Sequence, residues 1–569
     1  MSVARARVRN PLQYLLAASM LAGVAASASA QSVPDAGALR QQLEQERRPL
    51  LPPKAAPPLA LPQPLRSLGG ATVTLSAVRF VGNSLLSDAT LAPVVAPYLG
   101  QPLDFAQLQN VAIAVASAYR QQGWVVRAYL PQQDIDGGVL TVQVVEAVFG
   151  KLRQQGGGQR ATPARIAAMV AAAQASGQPL QGERLDRALL LIEDLPAVGV
   201  VAALAEGEQQ AETDLLLTLT EGALFSGDAS VDNSGARSTG PARLAANLSI
   251  NSALGQGELA ALNLLHSQGS DYLRVGLLAP LGAAGWRAGA SASYLSYRLV
   301  GASFASLQAS GNSASVGIEA SYPLLRARLR NLYLGVNADH KRFDNRSAGV
   351  IATRYRSNSA SAALNGNLFD NWGGGGASSA SLVLAMGDID LAGSPNERAD
   401  AASTRSAGAY RKIRFAVARE QVLSPALGLY GAVSGQSSNR NLDSSEKFYL
   451  GGASGVRAYP GNEGGGADGA LVNLEARLRL PANWRLSGFF DYGVVRVNHD
   501  NAIAGAALPN GFSLKGAGLA LAWYSERGYN VKATLARRLG SNPNPTAAGR
   551  DQDGSLERNR LWLQAALPF

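Results

Sequence analysis

The feature that most constrains this chain is a period-two alternation of apolar and polar side chains over segments of about ten residues. In the segment 471–480, LVNLEARLRL, one face is apolar: Val472, Leu474, Ala476, Leu478 and Leu480. The opposite face is polar: Asn473, Glu475, Arg477 and Arg479. Strands of soluble sandwiches also alternate, but they usually span about five or six residues. Because a strand needs about nine to eleven residues to cross a bilayer, these segments favour a membrane β-barrel.

Segments of this kind repeat after Gly222, and no helical pattern interrupts them. We count about sixteen, centred near residues 229, 248, 262, 275, 292, 317, 336, 359, 381, 412, 431, 475, 491, 518, 533 and 565. The length leaves about 22 residues for each strand and its connection, which suits short turns at one end of a barrel and long loops at the other. We therefore predict a transmembrane β-barrel of about 16 antiparallel strands over residues 223–569.

The last residues of the chain form another alternating segment, RLWLQAALPF. Its apolar face ends on an aromatic residue: Leu561, Leu563, Ala565, Leu567 and Phe569. An aromatic C-terminus on an amphipathic strand resembles the recognition signal of bacterial outer-membrane barrels. We therefore expect Phe569 to be an assembly signal that the barrel assembly machinery reads.

The first thirty residues have the pattern of a secretory signal peptide. A basic segment with Arg5, Arg7 and Arg9 precedes a short apolar stretch, and an A-x-A site ends at Ala30. Beyond residue 30 we find no uncharged apolar run of about 18 residues, the length that a membrane-spanning helix needs. The sequence therefore predicts that residues 1–30 are removed and that the remaining chain is exported from the cytoplasm.

The region between the signal peptide and the barrel divides into a helix, a linker and two repeated units. Residues 31–48 predict a short helix with Asp35 near its N-cap, and residues 49–71 are proline-rich and predict an extended linker. Residues 72–149 read as β-α-α-β-β, with Ser87 and Asp104 as helix caps. Residues 150–222 repeat this α+β pattern in shorter form, which indicates an internal duplication.

A glycine-rich stretch, 451–470, contains a single arginine, Arg457, and a tyrosine two residues later, Tyr459. Such a stretch cannot form a helix or a large core of its own. From composition alone, Arg457 is either a solvated charge on a mobile loop or a group with a partner elsewhere in the molecule.

The segment around Asp491 offers that partner. Alternation places Phe489 and Asp491 on one face, whereas Phe490 and Tyr492 lie on the other. Because lipid cannot accept a carboxylate, Asp491 is predicted to face the barrel lumen. A guanidinium on a loop that folds inward could bind this carboxylate through two parallel hydrogen bonds.

Taken together, these segments resemble the outer-membrane transporters of two-partner secretion, of the haemolysin and filamentous-haemagglutinin exporter type. The two repeated units resemble polypeptide-transport-associated (POTRA) domains through short steps of sequence: Leu130, Pro131 and Gln133 in the first, and Thr213, Asp214 and Leu215 in the second. The resemblance implies that residues 31–48 are a plug helix, that 72–149 are POTRA 1 and that 150–222 are POTRA 2.

The most specific part of this resemblance lies in two motifs. A V-R-G-[FY] tetrapeptide tips a long inward-folded loop in this superfamily, and here it reads Val456, Arg457, Ala458 and Tyr459. The second motif, F-x-D-x-G, is intact as Phe489, Asp491 and Gly493. The resemblance implies that the loop 436–469 enters the barrel and meets this strand. If position 458 requires a positive φ, alanine in place of the usual glycine strains it by about 1 kcal/mol or more.

The resemblance implies a Gram-negative outer-membrane transporter with periplasmic POTRA domains. It would recognise an unfolded, secreted partner polypeptide and export it through the barrel without nucleotide hydrolysis, since the chain has no Walker-type lysine loop. An assembly insertase of the same superfamily is the alternative, although such proteins usually carry more POTRA domains and no plug helix. A diffusion porin would need neither the repeats nor the loop motif.

An enzyme is the least favoured interpretation. The chain has no cysteine, and its three histidines, His266, His340 and His499, are far apart in sequence. We therefore predict no catalytic site, no metal site and no cofactor. No dense run of Lys or Arg suggests nucleic acid as a partner, whereas membrane lipid and lipopolysaccharide are expected to surround the barrel.

Overall fold

The computed structural model describes residues 34–46, 53, 71–209, 211–301 and 304–569. The predicted signal peptide, 1–30, and nearly all of the predicted linker, 49–71, lie outside these residues. The first described element is helix α1, Ala36–Glu46, which lies within the predicted 31–48. Residues 31–33 and 47–48 of that prediction lie outside the described residues. Asp35 caps α1, since its side-chain Oδ1 accepts a hydrogen bond from the backbone N–H of Ala38 at 2.7 Å.

The first α+β unit contains β1 Val73–Thr74, β2 Ala77–Val81, α2 Asp88–Val95, β3 Pro102–Leu103, α3 Phe105–Gln121, β4 Val126–Tyr129 and β5 Val139–Glu146. Its three-stranded sheet has the order β2-β5-β4. The predicted caps form: Ser87 accepts from Thr90 N–H, and Asp104 forms a capping box with Gln107. The first strand of the predicted β-α-α-β-β order is divided into β1 and β2, because β1 pairs with β3 in a separate ribbon.

The second α+β unit contains β6 Val148–Gln155, α4 Pro163–Ala173, α5 Gly182–Glu193, β7 Val198–Glu206 and β8 Glu212–Glu221. Its sheet has the order β6-β8-β7. Phe149 is buried in the core of this second unit, with Ile166 and Leu215. The boundary predicted between residues 149 and 150 therefore falls inside β6, and the second unit begins at Val148.

Sixteen strands form one closed antiparallel barrel, so the predicted architecture and strand count are confirmed. They are β9 Phe225–Asp232, β10 Arg243–Asn251, β11 Leu259–Ser267, β12 Ser270–Leu281, β13 Trp286–Arg298, β14 Ser310–Arg326, β15 Arg330–Ser347, β16 Val350–Asp370, β17 Gly376–Asp390, β18 Gly408–Val422, β19 Leu427–Ser438, β22 Asp468–Leu480, β23 Trp484–Arg496, β24 Gly511–Tyr524, β25 Asn530–Arg538 and β26 Asn559–Pro568. Every predicted segment centre lies within one of these strands. The loop before β18 contains a short helix, α6 Glu397–Ala402.

The barrel closes where the last strand pairs with the first. Ala565 of β26 lies opposite Val231 of β9, and the backbones of Phe569 and Gly227 exchange two hydrogen bonds of 2.9 Å. A Cβ atom on Gly227 would lie 2.7 Å from the ring of Phe569. Glycine at this position therefore leaves room for the terminal ring at the seam, and the role of Phe569 in assembly stays a prediction.

The two ends of the barrel differ. The second α+β unit contacts one end, where Arg326 binds Asp194 at 2.8 Å and Arg328 pairs with Asp186. Strands β14–β18 are the longest and extend toward the opposite end, β16 reaching 21 residues. Within the described part of the chain, no helix is long and apolar enough to cross a membrane.

Candidate functional site

The loop between β19 and β22 folds into the barrel. It spans residues 439–467, which we call the lumenal loop. It is shorter than the predicted 436–469, because residues 436–438 belong to β19 and residues 468–469 belong to β22. It contains two two-residue strands, β20 Phe448–Tyr449 and β21 Gly465–Gly466, which pair with each other. The loop doubles back tightly on itself. A Cβ on Gly451 would lie 1.9 Å from the carbonyl oxygen of Pro460, so position 451 of the loop has no room for a side chain.

The tip of the lumenal loop is buried in an apolar cluster. Val456, Ala458 and Tyr459 are each at most 1% exposed. They share this cluster with residues of the barrel wall and the loop base: Phe448, Leu450, Leu471, Phe489, Val495, Leu514 and Ala536. The tip turns through a hydrogen bond of 3.0 Å from Tyr459 N–H to the Val456 carbonyl. The alternation of β22–β25 supplies the inward-facing apolar groups that hold the tip.

Arg457 points from this tip into a carboxylate on β23. Its Nε and Nη2 donate to the two oxygens of Asp491 at 2.9 and 2.7 Å, and its backbone N–H donates to Oδ2 at 3.0 Å. The side chain of Asp491 is 0% exposed and that of Arg457 is 6% exposed. The structure thus brings together the two residues that the motifs single out, in the bidentate geometry that favours arginine over lysine.

Three further groups complete the site, and sequence analysis did not assign them. Arg457 Nη1 donates to Glu475 Oε1 at 2.7 Å, and Asn473 Nδ2 donates to Asp491 at 2.8 Å. Trp562 Nε1 donates to the carbonyl of Arg457 at 2.7 Å. The alternation of residues 471–480 had placed Asn473 and Glu475 on the polar face. Their position on the polar face indicated that both side chains point into the lumen. Identifying them as part of the Arg457 site also required knowing how deeply the loop tip enters the barrel.

The electrostatics of this site favour the ionised arginine. Burial alone would lower the pKa of Arg457, but the hydrogen bonds and charge of Asp491, followed by those of Glu475, outweigh burial and raise the pKa. The guanidinium also lies 3.6 Å from the centre of the Phe489 ring, a cation–π contact. Arg477 donates to Glu475 at 2.8 Å and so offsets the second carboxylate.

The alanine at the third position of the tip motif fits without backbone strain. Ala458 does not adopt a positive φ, so the strain considered for a left-handed conformation does not arise. Its methyl group points at Gly516 of β24, where an added Cβ would lie 2.7 Å away. Gly493, the last residue of the second motif, leaves comparable room for Leu450, whose Cδ2 would lie 2.9 Å from an added Cβ.

Helix α1 also lies inside the barrel, where Ala36 and Leu39 pack in an apolar cluster with the wall and polar side chains make further contacts. Arg40 reaches three serine hydroxyls of β13 and β14: Ser293, Ser313 and Ser315. Arg40 also binds Glu44 at 2.8 Å. Lys341 of β15 lies 3.4 Å from both Glu44 of the helix and Glu446 of the lumenal loop. A chain of alternating charges therefore links α1, the barrel wall and the loop.

The lumenal loop forms part of the surface that α1 contacts. Gln41 Nε2 donates to the Lys447 carbonyl at 3.0 Å, and Ser444 Oγ donates to the Asp35 carboxylate at 2.8 Å. Glu446 in turn binds Lys412 of β18 at 2.7 Å. The two elements that fill the lumen therefore touch each other as well as the wall, which no local sequence pattern reveals.

The first α+β unit carries a second candidate surface. A groove of about 610 Å³ runs between helix α3 and strand β4. Phe105 at its edge is 67% exposed, and Tyr129 of β4 is 40% exposed. Strand β4 is an edge of its sheet, and among the described residues its outer side has no strand partner. Such an edge beside an apolar groove can add a strand from another chain.

Comparisons with known proteins agree with these features. Residues 211–515 match the family described as "Haemolysin secretion/activation protein ShlB/FhaC/HecB", and residues 73–147 match the "POTRA domain, ShlB-type". The heme/hemopexin transporter protein HuxB of Haemophilus influenzae strain 86-028NP is 26% identical over 98% of this chain and 100% of its own length.

Two solved structures share the fold. The structure of CdiB from Escherichia coli has a TM-score of 0.69 at 20% identity and covers 99% of this chain and 100% of its own. The structure of BamA from Haemophilus ducreyi lacking POTRA domains 1–3 has a TM-score of 0.52 at 15% identity and covers 87% of this chain and 100% of its own. At these identities the likeness is one of fold.

Proposed function

Because this chain belongs to the ShlB/FhaC/HecB family of haemolysin secretion/activation proteins, and so is an outer-membrane polypeptide transporter, we propose a route for its cargo. An unfolded, secreted partner binds first along the edge strand β4 of POTRA 1. It then passes through the lumen after α1 leaves, while the lumenal loop stays bound to the wall. The observation that carries this route is the contrast between the buried Arg457–Asp491 pair, on a loop joined to two barrel strands, and Arg40 of α1, which contacts neutral serine hydroxyls of the wall.

Capture on β4 rests on the groove beside it. An extended chain that pairs with β4 would satisfy the free edge of the sheet through backbone hydrogen bonds, and its apolar side chains would enter the groove near Phe105 and Tyr129. Backbone pairing tolerates many sequences, whereas the groove selects apolar side chains at alternate positions. Both properties suit a partner that arrives unfolded.

We infer that transport needs no catalytic step. The chain has no Walker-type lysine loop and no cysteine, and the family consists of transporters. Direction would then come from folding of the exported chain outside the cell. An insertase function is the second candidate of the same superfamily, and it predicts a different phenotype, since its loss would lower the amounts of other barrels.

The test is a secretion assay with the product of the adjacent gene as the partner. Deleting the transporter should leave that protein in the periplasm while other outer-membrane barrels keep their normal levels. If barrel levels fall and the partner still reaches the medium, the insertase interpretation replaces export.

Capture on β4 is tested by Tyr129→Asp with Val81→Asp as its matched control. Val81 lies on the other edge strand, β2, and is 41% exposed, close to the 40% of Tyr129. We expect Tyr129→Asp to weaken binding of the unfolded partner to the purified transporter by about tenfold, which equals 1.4 kcal/mol, and Val81→Asp to leave it unchanged. Equal loss in both variants would argue against β4 as the capture edge.

A further inference from the structure

The outer wall of the barrel carries an open groove of about 1310 Å³ across strands β12–β18. One row of cross-strand partners explains its shape: Ala290, Ile318, Ala338, Ala360, Met386 and Arg411. The two alanines at the centre of this row leave a floor between Ile318 and Met386, which are 66% and 60% exposed. Because neighbouring strands lie about 4.8 Å apart, these two large side chains bound a channel roughly 14 Å wide.

The floor of the groove changes from apolar to basic along the strands. On β15 the outward-facing side chains run from Ala338 through His340 to Arg342, and on β16 they run from Ala360 through Asn358 to Arg356. The imidazole Nδ1 of His340 lies 2.7 Å from Asn358 Oδ1. The basic end is the extracellular one, because it lies opposite the POTRA domains, which are periplasmic.

The charges at this end do not cancel. Outward-facing arginines outnumber the aspartates there: Arg342, Arg346, Arg354, Arg356 and Arg411 against Asp344, Asp388 and Asp390. Asp344 binds Arg346 at 3.2 Å and Arg354 at 2.7 Å, and Asp390 lies 3.7 Å from Arg356.

Two guanidiniums remain at the groove after this pairing. Within the described ranges, neither Arg342 nor Arg411 forms an ion pair, and Arg342 donates only to the His340 ring, at 3.1 Å. Of the three outward-facing aspartates named above, Asp388, between these arginines, is the one that forms no ion pair with the described residues. A net positive charge is therefore exposed at the level where the apolar band of the barrel ends.

We propose that this groove binds the lipid A part of lipopolysaccharide in the outer leaflet. An acyl chain would lie on the Ala338–Ala360 floor between Ile318 and Met386. The phosphate groups of the lipid A disaccharide would accept hydrogen bonds from Arg342 and Arg411. A phosphorylated glycolipid with several acyl chains matches both halves of the groove, whereas a soluble anion would leave the apolar floor uncovered.

The first test measures lipid retained by the purified full-length transporter in detergent. Lipid A is counted by mass spectrometry of its hydroxylated fatty acids, and the variant is Arg342→Gln with Arg411→Gln. The matched control is Arg330→Gln, since Arg330 is an exposed arginine on the same strand at the periplasmic end. Loss of charge-assisted contacts is expected to lower retained lipid A by about tenfold or more, with Arg330→Gln unchanged.

A second variant tests the apolar floor without changing charge. Ala360→Trp should fill the channel and lower retention, whereas Ala476→Trp, an exposed position of β22 outside the groove, should not. Heat-modifiable gel mobility verifies that every variant is a folded barrel. After bound lipid is removed from the wild-type protein, added bis-phosphorylated lipid A should bind again, whereas phosphatidylglycerol or inorganic phosphate should not bind. Equal retention in all variants, or equal binding of phosphatidylglycerol, would overturn the proposal.

Discussion

The lumenal loop and helix α1 fill the same barrel but are held in different ways. The loop is covalently continuous with two adjacent strands, buries an apolar tip and places Arg457 against two carboxylates. The helix belongs to a segment that precedes both α+β units in the chain, and Leu39 packs in an apolar cluster with the wall. Its central cation, Arg40, contacts neutral serine hydroxyls of the wall. Breaking a buried ion pair from one side is expensive, whereas hydroxyl contacts are easily replaced by water. This difference is why we propose a fixed loop and an exchangeable helix.

The lumenal loop and helix α1 also depend on each other. Glu446 of the loop binds Lys412 of the wall and approaches Lys341, which also approaches Glu44 of the helix. Burial tends to raise the pKa of Glu44, but the nearby Lys341 and Arg40 outweigh it and lower the pKa to about 2. The carboxylate therefore stays ionised at physiological pH, and departure of α1 would leave Lys341 with Glu446 as its acidic partner.

The largest expected effect comes from breaking the loop contact. Arg457→Ala leaves the Asp491 carboxylate buried and without an ionic partner, and Asp491→Ala leaves Arg457 with Glu475 alone. Breaking a buried pair from one side costs about 3–5 kcal/mol in a dry site and less in a hydrated lumen. We expect each variant to reduce export far more than it reduces barrel levels. Arg457→Lys should also be poor, because an ammonium cannot form the two parallel hydrogen bonds.

A double-mutant cycle on export, normalised to the amount in the outer membrane, tests whether the two residues act through one contact. In that case the double variant is little worse than either single variant. Arg477→Ala is the matched control, since Arg477 is also a lumenal arginine bound to Glu475 but does not contact Asp491. Fully additive losses would show that Arg457 and Asp491 act independently.

The next effect concerns the helix. Arg40→Ala removes three serine contacts and the ion pair with Glu44, each hydrogen bond contributing about 1 kcal/mol net. We expect the helix to spend more time outside the lumen, so that single-channel conductance in planar bilayers rises toward that of a chain lacking residues 31–46. Export should change much less than in Arg457→Ala. Unchanged conductance in the deletion would show that α1 does not obstruct ion flow.

The sequence predicted much of this architecture because period-two alternation is a local property. Asp491 had to face the lumen once lipid occupied the other side of β23, and all sixteen segments followed from the same rule. The partners of Arg40 could not be predicted, since Ser293 and Ser315 lie more than 250 residues away in the chain. The groove at Ala338 and Ala360 likewise depends on the register of six strands, which no single segment specifies.

A smaller effect is expected from the packing of the loop tip. Gly516→Ala would place a methyl group near the Cβ of Ala458, where an added Cβ lies 2.7 Å away. Overpacking typically costs about 1–3 kcal/mol, so export should fall partially. Combining it with Ala458→Gly should restore export, because the second change removes the opposing methyl group. Gly488→Ala is the control: it lies on β23, where an added Cβ would be 3.8 Å from Leu519. Failure of the rescue would contradict close packing between positions 458 and 516.

The smallest effect is a pH dependence that should belong to the helix and not to the loop pair. Burial, followed by the charge of Asp443, raises the pKa of Asp35 to about 6, although the Ala38 N–H and Ser444 bonds lower it. The pKa of an exposed aspartate is about 3.9, so the docked helix binds a proton more readily than the released helix. Docking therefore strengthens as pH falls through about 6 toward about 4, and this contribution is lost as pH rises back through about 6. Burial raises the pKa of Glu46 as well, which adds an effect of the same sign.

We expect conductance, measured relative to a chain lacking residues 31–46, to fall between pH 7 and pH 5, and Asp35→Asn to reduce this change. If the pH response persists undiminished in Asp35→Asn, the titrating group lies elsewhere in the lumen.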